Sequence, residues 1–231
     1  DDFETGTRAA AFGGTTAIVD FVTPEKGKPL AQALADWNTR ARGHACIDYG
    51  FHMCIVDMNP AILAEMDALV GEGITSFKLF TAYPGSLMID DAAIYRVMQW
   101  AARSGALVQA HCENGPAIAA IVSDMMAAGN TEPIDHIRSR PSALEGEATH
   151  RVLALAKVAG APVYVVHLTC KEALDAVRAA RAAGQPVFAE TCPQYLYLSE
   201  SDADRPDFEG AKFVCSPPLR PAWHAEHLWK G

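Results

Sequence analysis

The sequence predicts an α/β fold in which parallel strands and helices alternate around one core. Six short apolar runs alternate with segments of helical spacing along the 231 residues. Most runs lack the polar alternation of a strand with one face in water, which is typical of a parallel sheet covered on both faces. No Ser/Gly-rich or charged linker interrupts the chain, so residues 1–231 are predicted to form a single domain.

The predicted strands are apolar, β-branched runs that turn-forming residues delimit. In order, they cover residues 15–21, 49–56, 74–81, 107–111, 162–167 and 187–191. His52 lies within the second strand, where a histidine whose hydrogen bonds are satisfied in the core or at an interface is the favoured interpretation. Residues 131–141 are predicted to be a polar connection.

The predicted helices are recognised by apolar side chains at 3.6-residue spacing and by their capping residues. The second helix begins at Asn59, an N-cap that is followed by a proline in the first turn. Two later helices are predicted to begin with capping boxes, formed by Ser142 with Glu145 and by Thr169 with Glu172.

Two parallel architectures are compatible with this alternation. An open doubly wound sheet usually carries a glycine-rich phosphate loop after its first strand, and neither GxGxxG nor GxxxxGK[ST] occurs in the sequence. Candidate catalytic or metal-binding residues lie near the ends of several different strands, as they do in (β/α)8 barrels, whose active sites are built from the ends of many strands. The sequence therefore predicts a closed (β/α)8 barrel.

The amino-acid composition limits the classes of binding partner that the protein is expected to have. A net charge of −9, a pI near 5.3 and scattered basic residues argue against a nucleic-acid surface and favour small molecules. No apolar run is long enough for a membrane span and the acidic start lacks signal-peptide features, so a cytoplasmic location is expected. The six cysteines are expected to be free thiols, with a thiolate metal site as the less favoured alternative.

The candidate chemistry begins with Lys78, which lies within the apolar run 74–81. Burying an ammonium group costs several kcal/mol unless it is paired or neutralised, and a lysine so placed readily becomes a nucleophilic amine. The alternative is a lysine at a strand end that extends to water. Two later strands each end on a histidine, His111 and His167. Three strands are therefore predicted to carry, at their carboxyl ends, a residue that can bind a metal ion or act as a general base.

Several short motifs extend this pattern. They are Ser76-Phe77-Lys78 followed by Tyr83, His111-Cys112-Glu113-Asn114, Ser139-Arg140-Pro141 ahead of Glu145-Gly146-Glu147-Ala148, Val166-His167-Leu168, Glu190-Thr191-Cys192-Pro193-Gln194-Tyr195-Leu196, and Lys212-Phe213-Val214-Cys215-Ser216-Pro217-Pro218-Leu219-Arg220. In order and separation, these motifs resemble the dihydropyrimidinase and hydantoinase family of cyclic amidohydrolases. The resemblance covers the chain from its first residue to its last.

The resemblance implies a metal-dependent (β/α)8 barrel that holds two divalent metal ions, usually zinc. Lys78 matches the lysine that reacts with carbon dioxide and bridges the metals as a carbamate. His111 and His167 match the two imidazole ligands of the second metal. Tyr83 matches the tyrosine that binds the carbonyl oxygen as it becomes an oxyanion, and Ser216 matches a substrate-binding residue. From the residues alone, Tyr83 could instead be a packing residue and Ser216 part of a turn.

Three features of the family pattern are missing from the sequence. The family carries a His-x-His pair on its first barrel strand, an aspartate on its last and a small β-sandwich domain, and the sequence contains none of these. The chain is therefore interpreted as an interior segment with about six of the eight β/α units, and the segment alone is expected to be inactive.

The function implied is hydrolysis of the cyclic amide bond of dihydropyrimidines or 5-substituted hydantoins by a hydroxide held between the metals. The alternatives are an allantoinase, a dihydroorotase, or a non-catalytic binding protein similar to the collapsin response mediators. Retention of Lys78, His111 and His167 favours an enzyme. The resemblance also implies a homo-oligomer, a tetramer.

Overall fold

A computed structural model describes residues 1–231. Six parallel strands form one sheet, and their order in the sheet is their order in the chain. The strands are β1 (Ala17–Val22), β2 (Asp48–Cys54), β3 (Ser76–Phe80), β4 (Leu107–His111), β5 (Val163–Val165) and β6 (Val187–Ala189). Sequential parallel pairing is the topology of consecutive strands in a (β/α)8 barrel. The predicted fold class, a partial barrel of six units, is confirmed.

Ten helices lie before, between and after the strands. They are α1 (Phe3–Phe12), α2 (Leu30–Ala41), α3 (Pro60–Gly71), α4 (Asp91–Ser104), α5 (Gly115–Ala127), α6 (Pro133–Arg138), α7 (Ser142–Ala159), α8 (Lys171–Ala182), α9 (Pro193–Tyr197) and α10 (Trp223–Leu228), with 3₁₀ turns at Glu200–Asp202 and Glu209–Phe213. The prediction of a polar connection over residues 131–141 is wrong, because α6 lies there. Pro133 begins this helix, and Ile134 and Ile137 are buried in the core.

Side-chain direction alternates along β3 and separates two environments. Phe77 points outward, where its ring meets Trp100 of α4 edge-on at 4.9 Å. Lys78 therefore points to the inner face. His52 lies on this face too, with Nδ1 2.5 Å from the Ser76 hydroxyl and 3.3 Å from the Gln109 amide nitrogen. The interpretation of His52 as a histidine with satisfied hydrogen bonds is confirmed.

The two outer strands, β1 and β6, pair with a neighbour on one side only. Near them the inner face carries exposed apolar side chains, since Val19 is 51% and Phe188 50% exposed. In a closed barrel, side chains at such positions fill the interior in layers. The extent of the domain and the missing β-sandwich stay predictions.

The two predicted capping boxes are wrong. Neither α7 nor α8 begins with a side-chain cap. Instead, the Ser142 hydroxyl donates to the Glu172 carboxylate across the two helices at 2.8 Å. The Glu145 carboxylate accepts from the backbone N–H of Thr169 at 2.8 Å. Because the two helices start side by side, each predicted capping group has a partner on the neighbouring segment.

No helix in the structure combines the length and the apolar character that crossing a lipid bilayer requires. All six cysteines are free thiols.

The close contact between α7 and α8 at Gly146 provides a test of the fold. A Cβ atom at this position would lie 2.6 Å from the Cβ atom of Glu172. We therefore expect Gly146→Ala to lower the free energy of unfolding of the complete protein by about 1–3 kcal/mol, as overpacking does. Denaturant unfolding measures this change.

Gly71 is the matched control, because a Cβ atom there would meet nothing within 4 Å at the end of α3. Gly71→Ala should be neutral or stabilise the protein by up to about 1 kcal/mol. Equal effects of the two substitutions would contradict the packing of α7 against α8.

Candidate active site

Lys78 occupies the middle of β3 and is 3% exposed. Its amine lies over the rings of Phe21 and Phe80, at 4.9 and 5.2 Å from the ring centroids. The buried carboxylates of Glu113, Asp135 and Glu145 form ion pairs with His111, Arg138 and Arg220, and none of them pairs with Lys78. Burial lowers the pKa of Lys78 to about 8. About a tenth of the lysines would therefore be neutral amines at pH 7, against far fewer for an ordinary lysine.

His111 ends β4 and His167 follows β5, and the two imidazoles face each other. Nδ1 of His111 lies 3.0 Å from Nε2 of His167. The other nitrogen of His111, Nε2, donates to the buried Glu113 carboxylate at 2.8 Å. This bond fixes the tautomer of His111 and leaves its Nδ1 lone pair directed at His167.

Both imidazoles are neutral at physiological pH. Burial, followed by the positive charges of Lys78 and Arg140, lowers the pKa of His111 to about 3. Burial, followed by the neighbouring His111, lowers the pKa of His167 well below its ordinary value. Neutral imidazole is the form of histidine that binds metal ions.

The donor atoms fit part of a metal centre. Two nitrogen ligands of one tetrahedral zinc ion lie about 3.3 Å apart, given Zn–N bonds of 2.0–2.1 Å, and the facing nitrogens of His111 and His167 are at a similar separation, 3.0 Å. Nδ1 of His167 and Oε1 of Glu113 are buried without a hydrogen-bond partner. Folding alone therefore leaves polar atoms of His167 and Glu113 unsatisfied, although they are not the two facing nitrogens.

The chain does not supply a complete ligand set by itself. No cluster of three or more His, Cys, Asp or Glu side chains forms a metal site in the structure. Of the predicted donors, His111 and His167 face each other, and Lys78 lies near enough for its charge to lower the pKa of both.

Tyr83 and Ser216 lie beside the histidines. The Tyr83 ring centroid is 5.0 Å from that of His111. The pKa of Tyr83 is raised, chiefly by burial and then by the charge of Glu113, and a hydrogen bond with Ser216 acts against this increase. The Ser216 hydroxyl also lies 3.1 Å from Nε2 of His136. Tyr83 therefore lies near both Ser216 and His111.

Two of these residues have strained backbones. Tyr83 has φ 66° and His167 has φ 41°, and they are two of the four non-glycine residues with positive φ. Residues with side chains rarely adopt this region, and such strain is concentrated at active sites and switch regions. The turn at His167 also explains why β5 ends at Val165, earlier than the predicted residue 167.

His111 ends β4, Tyr83 and His167 lie just beyond the ends of β3 and β5, and Ser216 lies near Tyr83, whereas Lys78 lies in the middle of β3. Three further residues, to which the sequence analysis assigned no direct metal- or substrate-binding role, contribute to the site. Glu113 holds His111, His136 holds Ser216, and Arg220 forms a buried ion pair with Glu145. Glu113 carried a sequence signal, since it follows a strand-terminal histidine by two positions. His136 carried none, because it lies in the predicted polar connection.

No protein-family model matches the chain. Similar proteins nevertheless cover it completely. The chain is 54% identical over 231 residues to a D-hydantoinase from Streptomyces coelicolor, covering 100% of this chain and 50% of that protein. It is 49% identical over 230 residues to a D-hydantoinase from Geobacillus stearothermophilus, covering 99% of this chain and 49% of that protein.

Solved structures of similar fold come from the same family as these relatives. The crystal structure of a dihydropyrimidinase from Brevibacillus agri superimposes with a TM-score of 0.98 at 50% identity, covering 99% of this chain and 50% of that one. The chain thus spans about half the length of the relatives that it matches. The predicted resemblance is confirmed at this identity over the whole chain.

Proposed function

Since this chain belongs to the dihydropyrimidinase and hydantoinase family, we propose that the complete protein hydrolyses the cyclic amide bond of a dihydropyrimidine or a 5-substituted hydantoin. The observation that carries the proposal is the pair of facing imidazoles of His111 and His167, with the buried Lys78 near enough for its charge to lower the pKa of both, in a chain 54% identical to a D-hydantoinase. The relatives' names favour this reaction over the allantoinase, dihydroorotase and non-catalytic alternatives.

The proposed metal-binding residues are Lys78, as its carbamate, with His111 and His167. Zn²⁺ is the proposed metal, because two neutral imidazoles suit it. Bound metal ions supply Lewis acidity and a water molecule that is nucleophilic at neutral pH. Carboxylation of Lys78 replaces a buried amine with an anionic oxygen ligand, and the low pKa of this lysine supports it, since only the neutral amine reacts with carbon dioxide.

Tyr83 and Ser216 are the proposed substrate-handling residues. The Tyr83 hydroxyl donates to the carbonyl oxygen of the ring and binds it more strongly as negative charge develops there. Its raised pKa keeps the hydroxyl protonated and able to donate. Ser216 holds the cyclic amide through its backbone and hydroxyl. His111 and Glu113 are buried, whereas Tyr83 and Ser216 are half-buried. By resemblance, we also propose a homo-oligomer, a tetramer.

Replacing Lys78 tests the metal bridge. Lys78→Ala should abolish tight binding of two metal ions and hydrolysis of dihydrouracil, because the bridging group is gone. Short carboxylic acids should restore part of both, since they return an anionic bridge. Metal analysis and turnover assays measure this, with the exposed Lys157→Ala as the control. Two tightly bound metals and full turnover in Lys78→Ala would refute the proposed role.

Replacing Tyr83 tests the oxyanion interaction. Tyr83→Phe removes only the hydroxyl, so kcat should fall by roughly 10²–10³ while the metal content is unchanged, as for one lost oxyanion donor. Tyr197, which is 75% exposed, provides the control Tyr197→Phe. A normal kcat in the Tyr83 variant would return this residue to a packing role.

Replacing Glu113 tests the histidine orientation. Glu113→Gln keeps the side-chain shape but weakens the bond that fixes the His111 tautomer, so zinc affinity should fall by roughly 10–100-fold. Competition with a chromophoric chelator measures this affinity. Glu147→Gln removes an exposed carboxylate on α7 and is the control. An unchanged zinc affinity in Glu113→Gln would show that Glu113 does not support the site.

A further inference from the structure

A buried cluster of charged and polar groups is connected to the candidate site through the segments that carry His167 and Ser216. It consists of Glu145, Thr169 and Arg220, which are 3%, 1% and 5% exposed and are called the Arg220 clamp. Arg220 donates from Nε to the Thr169 hydroxyl at 2.9 Å and from Nη2 to Glu145 at 2.8 Å. Glu145 also accepts from the backbone N–H and the hydroxyl of Thr169. The three residues come from three separate segments of the chain.

The clamp reaches the candidate metal ligand His167 through Thr169. His167 has a left-handed backbone, which a side-chain-bearing residue keeps only when its neighbours hold it there. The segment is held immediately after this turn. Leu168 donates its N–H to the Glu190 carbonyl at 2.7 Å, and Thr169 donates its N–H to Glu145 at 2.8 Å. Glu145 therefore anchors the chain two residues beyond His167.

The clamp reaches Ser216 through Arg220, which ends the segment that Ser216 begins. Nη1 of Arg220 donates to the Arg140 carbonyl oxygen. Arg140 in turn donates to the His136 carbonyl oxygen at 3.1 Å. The His136 imidazole bonds to the Ser216 hydroxyl at 3.1 Å and to the Cys215 carbonyl oxygen at 2.9 Å. The Ser216 segment is therefore fixed at both ends.

Stability alone is a weak reason for this buried ion pair, because apolar residues of similar volume often replace such pairs without loss. What apolar residues could not reproduce is the directed set of bonds between the segment of His167 and the segment of Ser216. We propose that Glu145, Thr169 and Arg220 are positioning residues, which set the placement of the metal-binding His167 relative to the ring-binding Ser216. The inference rests on the proposed function and extends it to residues that touch neither metal nor substrate.

The two ends of the clamp can be tested separately in the complete protein. Arg220→Lys keeps the charge but cannot reach three acceptors at once, so the Ser216 segment loses its anchor. KM for dihydrouracil should rise by about tenfold or more, since small misplacements have large effects on reactivity. Zinc affinity should stay within about twofold of wild type, because the Thr169 to Glu145 bonds remain.

Thr169 offers a matched pair for the other end. Thr169→Val keeps the shape and loses both hydroxyl bonds, whereas Thr169→Ser keeps them. We expect Thr169→Val to raise KM and to weaken Zn²⁺ binding severalfold, and Thr169→Ser to restore both values. If Arg220→Lys fails to fold, these two Thr169 variants still show whether the clamp positions the site residues. Arg151→Ala, which breaks exposed ion pairs further along α7, is the control and should change neither value.

The outcomes separate the two proposals. Variants with a lower thermal midpoint but wild-type KM and zinc affinity would overturn the positioning role, as would a Thr169→Ser variant as impaired as Thr169→Val. Failure of the wild-type protein to hydrolyse any cyclic amide would instead refute the proposed function. In that case the Zn²⁺ affinities of the Thr169 pair, measured with the metal alone, still decide whether the clamp positions His167.

Discussion

The arrangement of the site depends on one energetically unfavourable group, an amine buried within a parallel sheet. Removing an ammonium ion from water costs several kcal/mol, and the aromatic rings at 4.9 and 5.2 Å return only about 0.5–2 kcal/mol as cation–π attraction. The balance favours loss of the proton, and the pKa of Lys78 falls to about 8. Since a neutral amine is a nucleophile and an ammonium ion is not, the burial that destabilises the cation also favours the nucleophilic form of Lys78, which the proposed carboxylation requires.

The sequence predicted the features that depend on local pattern and strand order. Alternating apolar runs and helical segments indicated the parallel sheet, and the carboxyl ends of parallel strands lie at one edge. For this reason Lys78, His111 and His167 could be expected to lie near one another before any geometry was known. The placement of Tyr83 and Ser216 came from resemblance alone, because a loop tyrosine and a serine before two prolines carry no distinctive signal.

The features that the sequence did not predict depend on contacts between segments distant in the chain. Ser142 with Glu145 had the spacing of a capping box, yet Glu145 bonds to Thr169 and Arg220. A pattern within one helix cannot show that another helix begins beside it and presents a better partner. The same limit applied to His136, whose bond to Ser216 spans 80 positions of the sequence.

The strained backbones of the site are held in place by neighbouring hydrogen bonds. The left-handed backbones of Tyr83 and His167 each cost on the order of 1–3 kcal/mol, so the surrounding contacts must hold them. At Tyr83 the N–H groups of three following residues converge on its carbonyl oxygen. At His167 the bonds of Leu168 and Thr169 to Glu190 and Glu145 hold the chain. A strained turn with such anchors presents its side chain in one direction only. Because the imidazole of His167 and the phenol of Tyr83 are already held in one orientation, they lose little further entropy when a ligand binds. The cost of the strained backbone is met during folding, and the site is preorganised as a result.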